Sequence, residues 1–469
     1  MTTYRLWQPA VAAPADRSFW LQDAGGGPVT RPPTGDADCD VAIVGGGYTG
    51  LWTALRLREQ APDLRITIVE ADFCGSGASG RNGGQVHTWF AEIDLLERLV
   101  GIDEALRLCR ATADAIEELA ALQASGTIDM GLRLDGWLWT ASSIAQEGAW
   151  EKAVALCRAN GEDRFRPLTA EEIRQRTGSD VSYTGIVEPR AGTVQPAKLA
   201  LGLRALAMSR GIAIHERSPV RQIDSGSPST LHGDGWTLRA PKVVLATSAW
   251  ASAIPELRRH LYIVDSQIIA TAPLAGTLDR LGWTGGESIC DAQSHVLYYQ
   301  RTPDGRVVFG RGSGNVAYFG RPTAAYNRRP TGRIDNIREL HRVYPTLRGA
   351  RVEYDWTGPI DCTPEHLPVF GHLEKQPGIF FGVGFNGTGI AQTPVAGRIL
   401  ASLVLGRDDA WSHSGLVGLS RRSTLPPEPI RYLGARIVRR AIRARNDREI
   451  RNESAGPLVR WLSSLTPGS

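Results

Sequence analysis

Residues Gly45-Gly46-Gly47-Tyr48-Thr49-Gly50 have the spacing GxGxxG, and Glu70 follows twenty positions after the last glycine. Together they have the chemistry of a dinucleotide cradle. Glycine at 45 permits a tight turn, glycine at 47 lets a pyrophosphate approach the backbone, and glycine at 50 lets a helix pack on the preceding strand. The free N–H groups and positive dipole end of that helix would face the phosphates. Glu70 can accept hydrogen bonds from both ribose hydroxyls and would repel a 2′-phosphate, which disfavours NADP. The following small-residue stretch, GSGASGRNGGQVH at 75–87, could lie flat against a flavin and its diphosphate, and this favours FAD over NAD.

Such a cradle needs a buried strand before the turn and a helix after it. The segment CDVAIVGGGYTGLWTALRLREQAPDLRITIVEAD supplies both, with Ala61-Pro62 ending the helix and a second apolar strand leading to Glu70. The first 38 residues, with Trp7, Phe19 and Trp20 followed by Gly25-Gly26-Gly27 and Pro32-Pro33, predict an irregular arm lying over the body. Helical spacing of Leu95, Leu99, Leu106, Ile116, Leu119 and Leu122 predicts helix from Asp94 to about Gln123. SQIIATAPL, HVLYYQRT and RVVFGRG read as antiparallel strands, with Pro303-Asp304-Gly305 as a hairpin turn. A last strand, glycine turn and helix occupy IFFGVGFNGTGIAQTPVAGRILASLVLG.

The predicted fold is α/β. A Rossmann-like, glutathione-reductase-like FAD domain is assembled from 36–100, 190–250 and 345–410. An α+β substrate domain of mainly antiparallel sheet (101–189 and 251–344) is inserted into it, and 411–469 form an arginine-rich helical extension.

At 469 residues, 42% apolar and 22% charged, the chain can bury a sizeable core. A net charge of +4 does not call for a nucleic acid partner, and nearly all the cations are arginine, which favours ion pairs over Schiff-base chemistry. Six scattered cysteines without CxxC or metal-type spacing predict a reduced cytoplasmic setting and no metal site. No secretory signal or bilayer-spanning run is read. In YLGARIVRRAIRARNDREIR, apolar Ile437, Val438, Ala441 and Ile442 stand among arginines. Packing on the protein's own flank is preferred there to peripheral membrane contact through 430–450.

The pairing of GGGYTGLWTA with ASGRNGGQV, and the late GVGFNGTGIAQTPVAGRILA, resembles the D-amino-acid-oxidase-like FAD oxidoreductases, especially gamma-glutamylputrescine oxidase-type members. The resemblance runs from about Cys39 to Leu405. It implies that Gly45, Gly47, Tyr48, Thr49, Gly50, Glu70 and Ala71 meet the ADP part of FAD. Ala78, Ser79, Arg81, Asn82, Gly83, Gly84 and Gln85 would border the diphosphate and isoalloxazine ring. Val220 would contact adenine, with Thr247 and Ser248 where the chain recrosses the dinucleotide. Gly384, Phe385, Asn386, Gly387, Thr388, Gly389 and Ile390 would present N–H groups to the flavin N1–C2 edge, where charge develops on reduction.

The implied activity is FAD-dependent oxidation of a primary or secondary amine, of ω-amino or γ-glutamyl-amine type, to imine and aldehyde with O2 reduced to H2O2. An amino acid dehydrogenase feeding a quinone or other carrier is the alternative. Candidates near the ring are His87, Tyr299, Arg301 and Trp356; Tyr299 and Arg301 share a strand face and could hold a carboxylate, whereas Tyr298 faces the other way. Sarcosine-oxidase-like members tether FAD through a cysteine whose position falls at about Gly358 here, while Cys362 stands directly before Thr363-Pro364, so noncovalent FAD is expected. Those relatives also carry an oxygen-activating lysine on the strand matching Arg306–Gly310. None stands there, which leaves Arg306, Arg311 or His87 to supply a positive field, or a dehydrogenase.

Overall fold

A computed structural model describes residues 2–9, 17–26, 29–312, 314–323, 330–419 and 422–465. Val41–Val44 are buried on both faces, as an all-apolar strand inside a parallel sheet must be. The strand lies within a six-stranded sheet of order Ala213–His215, Ile66–Val69, Val41–Val44, Lys242–Leu245, Gln376–Val383, Val369–Leu373. All neighbours pair in parallel except the last two, which form an antiparallel hairpin.

Two helices cover one face of this sheet, Tyr48–Gln60 and Gln392–Leu405. They approach closely because Gly397 has no side chain: a Cβ there would stand 2.9 Å from the Trp52 backbone. Gly50 serves the same purpose at the turn, since its Cβ would come within 2.0 Å of the Gly45 carbonyl oxygen.

The second large sheet has eight strands, ordered Val352–Cys362, Tyr262–Thr271, Val307–Arg311, Leu297–Arg301, Ser288–Asp291, Trp137–Ala141, Thr184–Glu188, Arg166–Thr169. It is antiparallel apart from the pairing of Ser288–Asp291 with Trp137–Ala141. The predicted hairpin is present, with Thr302 N–H donating to the Arg306 carbonyl at 2.9 Å and Gly305 at φ +80°. Val352–Cys362 belongs to this sheet although it falls inside the range 345–410 assigned to the FAD domain. Its alternating burial suits either sheet, and only its long ladder with Tyr262–Thr271 decides.

The N-terminal arm is more regular than its composition predicts. Thr3–Arg5 and Gly35–Asp38 are the edge strands of a five-stranded sheet with Gln222–Asp224, Ser229–Gly233 and Trp236–Ala240, and Phe19–Asp23 is a short helix. Arm residues 10–16 and Gly27 lie outside the described residues. The helix predicted from Asp94 is broken into Ile93–Val100 and Ile102–Ala124 by Gly101 at φ +81°. The arginine-rich helix Ile430–Glu449 buries Ala441, Ile442 and Asn446 against the body, and Arg443 pairs with Asp335 at 2.8 Å. Among the described residues no helix is long and apolar enough to cross a membrane.

Candidate active site

A cavity of about 690 Å³ runs between the two large sheets. At one end it passes Leu6–Pro9, Val220, Glu70 and the glycine turn; it continues along 75–79, 81–83 and Gln85, and reaches Tyr298, Gly358–Ile360 and Phe385–Ile390. Gly45 has φ +111°, and a Cβ there would meet the Ala246 carbonyl oxygen at 2.4 Å. Gly47 has ordinary backbone angles, and its Cβ would meet only the Ser79 hydroxyl, at 3.0 Å. That hydroxyl accepts from the Tyr48 N–H at 2.9 Å, so the loop after Glu70 is moored to the first turn of the helix. Glu70 accepts from the N–H groups of Gly46 at 2.7 Å and Asp72 at 3.0 Å, and burial pushes its carboxyl above the usual range. These features fit FAD: a glycine cradle that a larger side chain would fill, a helix N-terminus beside it, and a fixed carboxylate at the strand end.

The loop 75–85 is held by its own side chains. Arg81 Nε donates to the Ser76 carbonyl at 2.7 Å and Nη1 to that of Thr357 at 3.2 Å, while Asn82 accepts from the Gly84 N–H at 2.8 Å. On the opposite wall Asp361 is buried. It accepts from the Ser248 hydroxyl at 2.7 Å and the Gly384 N–H at 2.5 Å, so one carboxylate fixes two cavity-lining loops. Gly384 and Gly387, at φ +81° and +88°, and Asn386, at +54°, bend the second loop so that 385–390 line the cavity ahead of helix Gln392–Leu405.

Of the residues expected at the cofactor, Gly50, Gly84 and Gly384 stand behind the lining and shape it, and the others line the cavity. His87 also lines it. Its ring stacks on Trp137 with centroids 5.0 Å apart, and burial lowers its pKa to about 4, so it is neutral at ordinary pH.

Three residues expected near the ring do not reach the cavity. Tyr299 is on the far face of its strand, stacked on Phe309 at 5.2 Å and edge-on to Trp283 and Tyr344. Arg301 shares that face and pairs with Asp279 at 2.8 Å. Alternation puts Tyr298 inside instead, with its hydroxyl 2.7 Å from Ser266. Trp356 is buried behind the loop and donates its indole N–H to the Arg81 carbonyl at 2.8 Å. Arg306, a candidate for the positive field, is drawn off by Asp304 and Glu353.

Sequence reasoning missed Glu92, Asp94, Trp137, Trp139, Asp291 and Asp361, all of which line the cavity. The available signal was alternation in WLW, which puts Trp137 and Trp139 on one strand face. The lining carries six carboxylates, Glu70, Asp72, Glu92, Asp94, Asp291 and Asp361, against one guanidinium, Arg81.

A dinucleotide turn at the head of a parallel sheet, a second glycine loop across the cavity and an antiparallel sheet over it define a flavin-dependent oxidoreductase, and residues 40–403 match the family described as FAD dependent oxidoreductase (DAO). The chain belongs to this family. It is 31% identical over 382 residues to gamma-glutamylputrescine oxidoreductase of Escherichia coli (strain K12), covering 80% of this chain and 86% of that protein. Glycine oxidase of Geobacillus kaustophilus (strain HTA426) is 27% identical, covering 81% of this chain and 98% of that one. The crystal structure of iminodiacetate oxidase from Chelativorans sp. BNC1 shares the fold, with a TM-score of 0.64 at 22% identity, covering 83% of this chain and all of that one.

Proposed function

We propose that the protein oxidises a primary or secondary amine, of ω-amino or γ-glutamyl-amine type, to an imine that water splits to an aldehyde, with noncovalently bound FAD and with O2 reduced to H2O2. One observation carries this reading: a single cavity joins the glycine turn to an end walled by indoles and carboxylates, while Arg301, the candidate carboxylate clamp, is turned away. With Arg301 turned away, a wall rich in carboxyl groups suits an amine better than the carboxylate of an amino acid.

Bound FAD supplies acceptance of a hydride from the carbon beside nitrogen. The chain's own residues do the rest. The ADP part is assigned to Gly45, Gly47, Thr49 and Glu70, and the ring edge to the N–H groups of 385–390. Neutral His87 adds no positive charge against the amine, which must react in its unprotonated form. The walls of Trp137, Trp139 and Tyr298 exclude water.

Noncovalent attachment is supported at two positions. Gly358 lines the cavity without a thiol, and Cys362 is buried outside it beside Tyr262. A cytoplasmic setting is in keeping with six free cysteines.

A second reading, transfer of electrons to a quinone or other carrier, is favoured by the neutrality of His87 and the engagement of Arg306 elsewhere, which remove two of the candidate charges for activating oxygen. Anaerobic mixing of the purified flavoprotein with a panel of amines tests the function: an ω-amine is expected to bleach the flavin, and bleaching by α-amino acids alone would overturn the reading. Peroxide formed stoichiometrically when air is admitted to the bleached protein separates oxidase from dehydrogenase.

A further inference from the structure

Glu92 closes a short 3-10 turn, Trp89–Glu92, that is anchored on all sides. Trp89 and Phe90 are buried, the Trp89 N–H donates to Thr112 Oγ1 at 3.0 Å, and the capping Thr88 hydroxyl donates to Glu188 at 2.5 Å. The turn holds Glu92 in the cavity wall, with Trp137 and Trp139 lining the same cavity. The indole centroids of Trp137 and Trp139 are 5.6 Å apart, and Trp150 stands edge-on behind Trp139 at 6.1 Å.

The Glu92 carboxylate is unbalanced. Its Oε2 is shut off from solvent and has no hydrogen-bond partner, and the carboxylates acting on it are Glu188 and Asp94. The other titratable groups nearby do not neutralise it. His87 is uncharged, Cys109 and Cys290 are thiols whose pKa burial raises, and Arg164 acts on Glu188 from its seat over Phe90. Asp94 lies within 4 Å of both Lys152, at 3.6 Å, and Arg98, at 3.9 Å, and Asp291 accepts from the N–H groups of Leu297 and Gln293. A carboxylate in a desolvated wall with no opposing cation is costly, and a cation held in the cavity would offset its charge while resting against indole rings that attract positive charge.

We propose that Glu92, Trp137 and Trp139 form a cation subsite, so that the preferred substrate is an amine carrying a second, positively charged nitrogen at a distance from the one oxidised. This rests on the amine-oxidation reading above and specifies its substrate class. Burial pushes the Glu92 carboxyl up to about 8. The subsite is therefore charged above that pH, and cation binding below it releases a proton.

The test uses the full flavoprotein, with 1,4-diaminobutane and butylamine as a matched pair. Wild type is expected to show the lower KM for the diamine, with the diamine-to-butylamine KM ratio falling as pH rises from about 6 to about 8, since deprotonation of the reacting amine affects both substrates alike. Glu92→Gln should raise that KM about tenfold or more, the scale of losing a desolvated charge partner. It should also flatten the pH dependence of the diamine-to-butylamine KM ratio, raise the butylamine KM far less than the diamine KM and retain flavin absorbance. Trp139→Leu, which leaves the carboxylate in place, should also raise the diamine KM. Equal treatment of diamine and monoamine by wild type, or parallel losses for both in Glu92→Gln, overturns the subsite and leaves the proposed function standing.

Quenching of tryptophan fluorescence by tetramethylammonium chloride, against sodium chloride at equal ionic strength, reads the subsite without turnover. Quenching in wild type that disappears in Glu92→Gln supports the subsite even if no amine bleaches the flavin, an outcome that would sink the proposed function alone. No difference between the two salts overturns the subsite.

Discussion

Trp356 and Arg81 are 275 positions apart in sequence, yet the indole N–H of one donates to the backbone carbonyl of the other at 2.8 Å. This bond ties a strand of the eight-stranded sheet to the loop along the cavity floor, and it makes Trp356 a positioning residue. Trp356→Phe removes the donor of a buried hydrogen bond, at a cost of about 1–3 kcal/mol. The expected result is lower thermal stability and weaker retention of flavin on dialysis, with an unchanged amine KM in the FAD-saturated protein.

Asp361→Ala should free the two loops held through Ser248 and Gly384. Loss of two buried hydrogen bonds to a carboxylate corresponds to about 3–6 kcal/mol at most. FAD affinity, read by titrating apoprotein with FAD, is expected to fall at least about a hundredfold. Asp361→Asn, which keeps the acceptor for one donor, should lose less.

The glycine turn separates folding from binding. Gly47→Ala meets only a hydroxyl at ordinary backbone angles, so the variant should fold yet hold flavin poorly. Gly45→Ala puts a Cβ against a backbone carbonyl at positive φ and should reduce folded yield itself. Circular dichroism and flavin content measured on both variants distinguish the two effects.

His87 gives a pH dependence of definite sign. The folded ring titrates near 4 and a free imidazole near 6.5, so the unfolded chain takes up the proton first as pH falls. Stability contributed by neutral His87 is complete above about pH 6.5 and is lost progressively towards about pH 4. His87→Asn should flatten that part of the stability curve, as read by denaturant unfolding across the window.

Arg301 pairs with Asp279, away from the cavity. Arg301→Met should cost stability and leave the KM of any turned-over amine within about twofold, and a large rise in KM would contradict its placement.

The cofactor half was legible because its signals are local: an apolar strand, glycines at fixed offsets and an acid twenty residues on lie within one βαβ unit. The substrate half was not, because its members meet only through pairing of distant strands. Alternation separated Tyr298 from Tyr299 but could not say which face the cavity would take, and that choice placed Arg301 on the wrong side. Glu92 had no motif at all. It enters the cavity because it stands at the N-terminal end of helix Ile93–Val100 and because Thr88, Thr112 and Glu188 pin the turn that carries it. Trp137 reaches the same cavity from a strand paired with Ser288–Asp291, some 150 residues later.

The central claim is that the turn at Gly45–Gly50 and the loop at Gly384–Ile390 hold one FAD between them. Visible absorbance of the native protein, purified and then incubated with excess FAD and desalted, tests this directly. Stoichiometric flavin absorbance that is released into the supernatant on acid precipitation is the predicted result. A protein that remains colourless after this treatment would contradict the assignment.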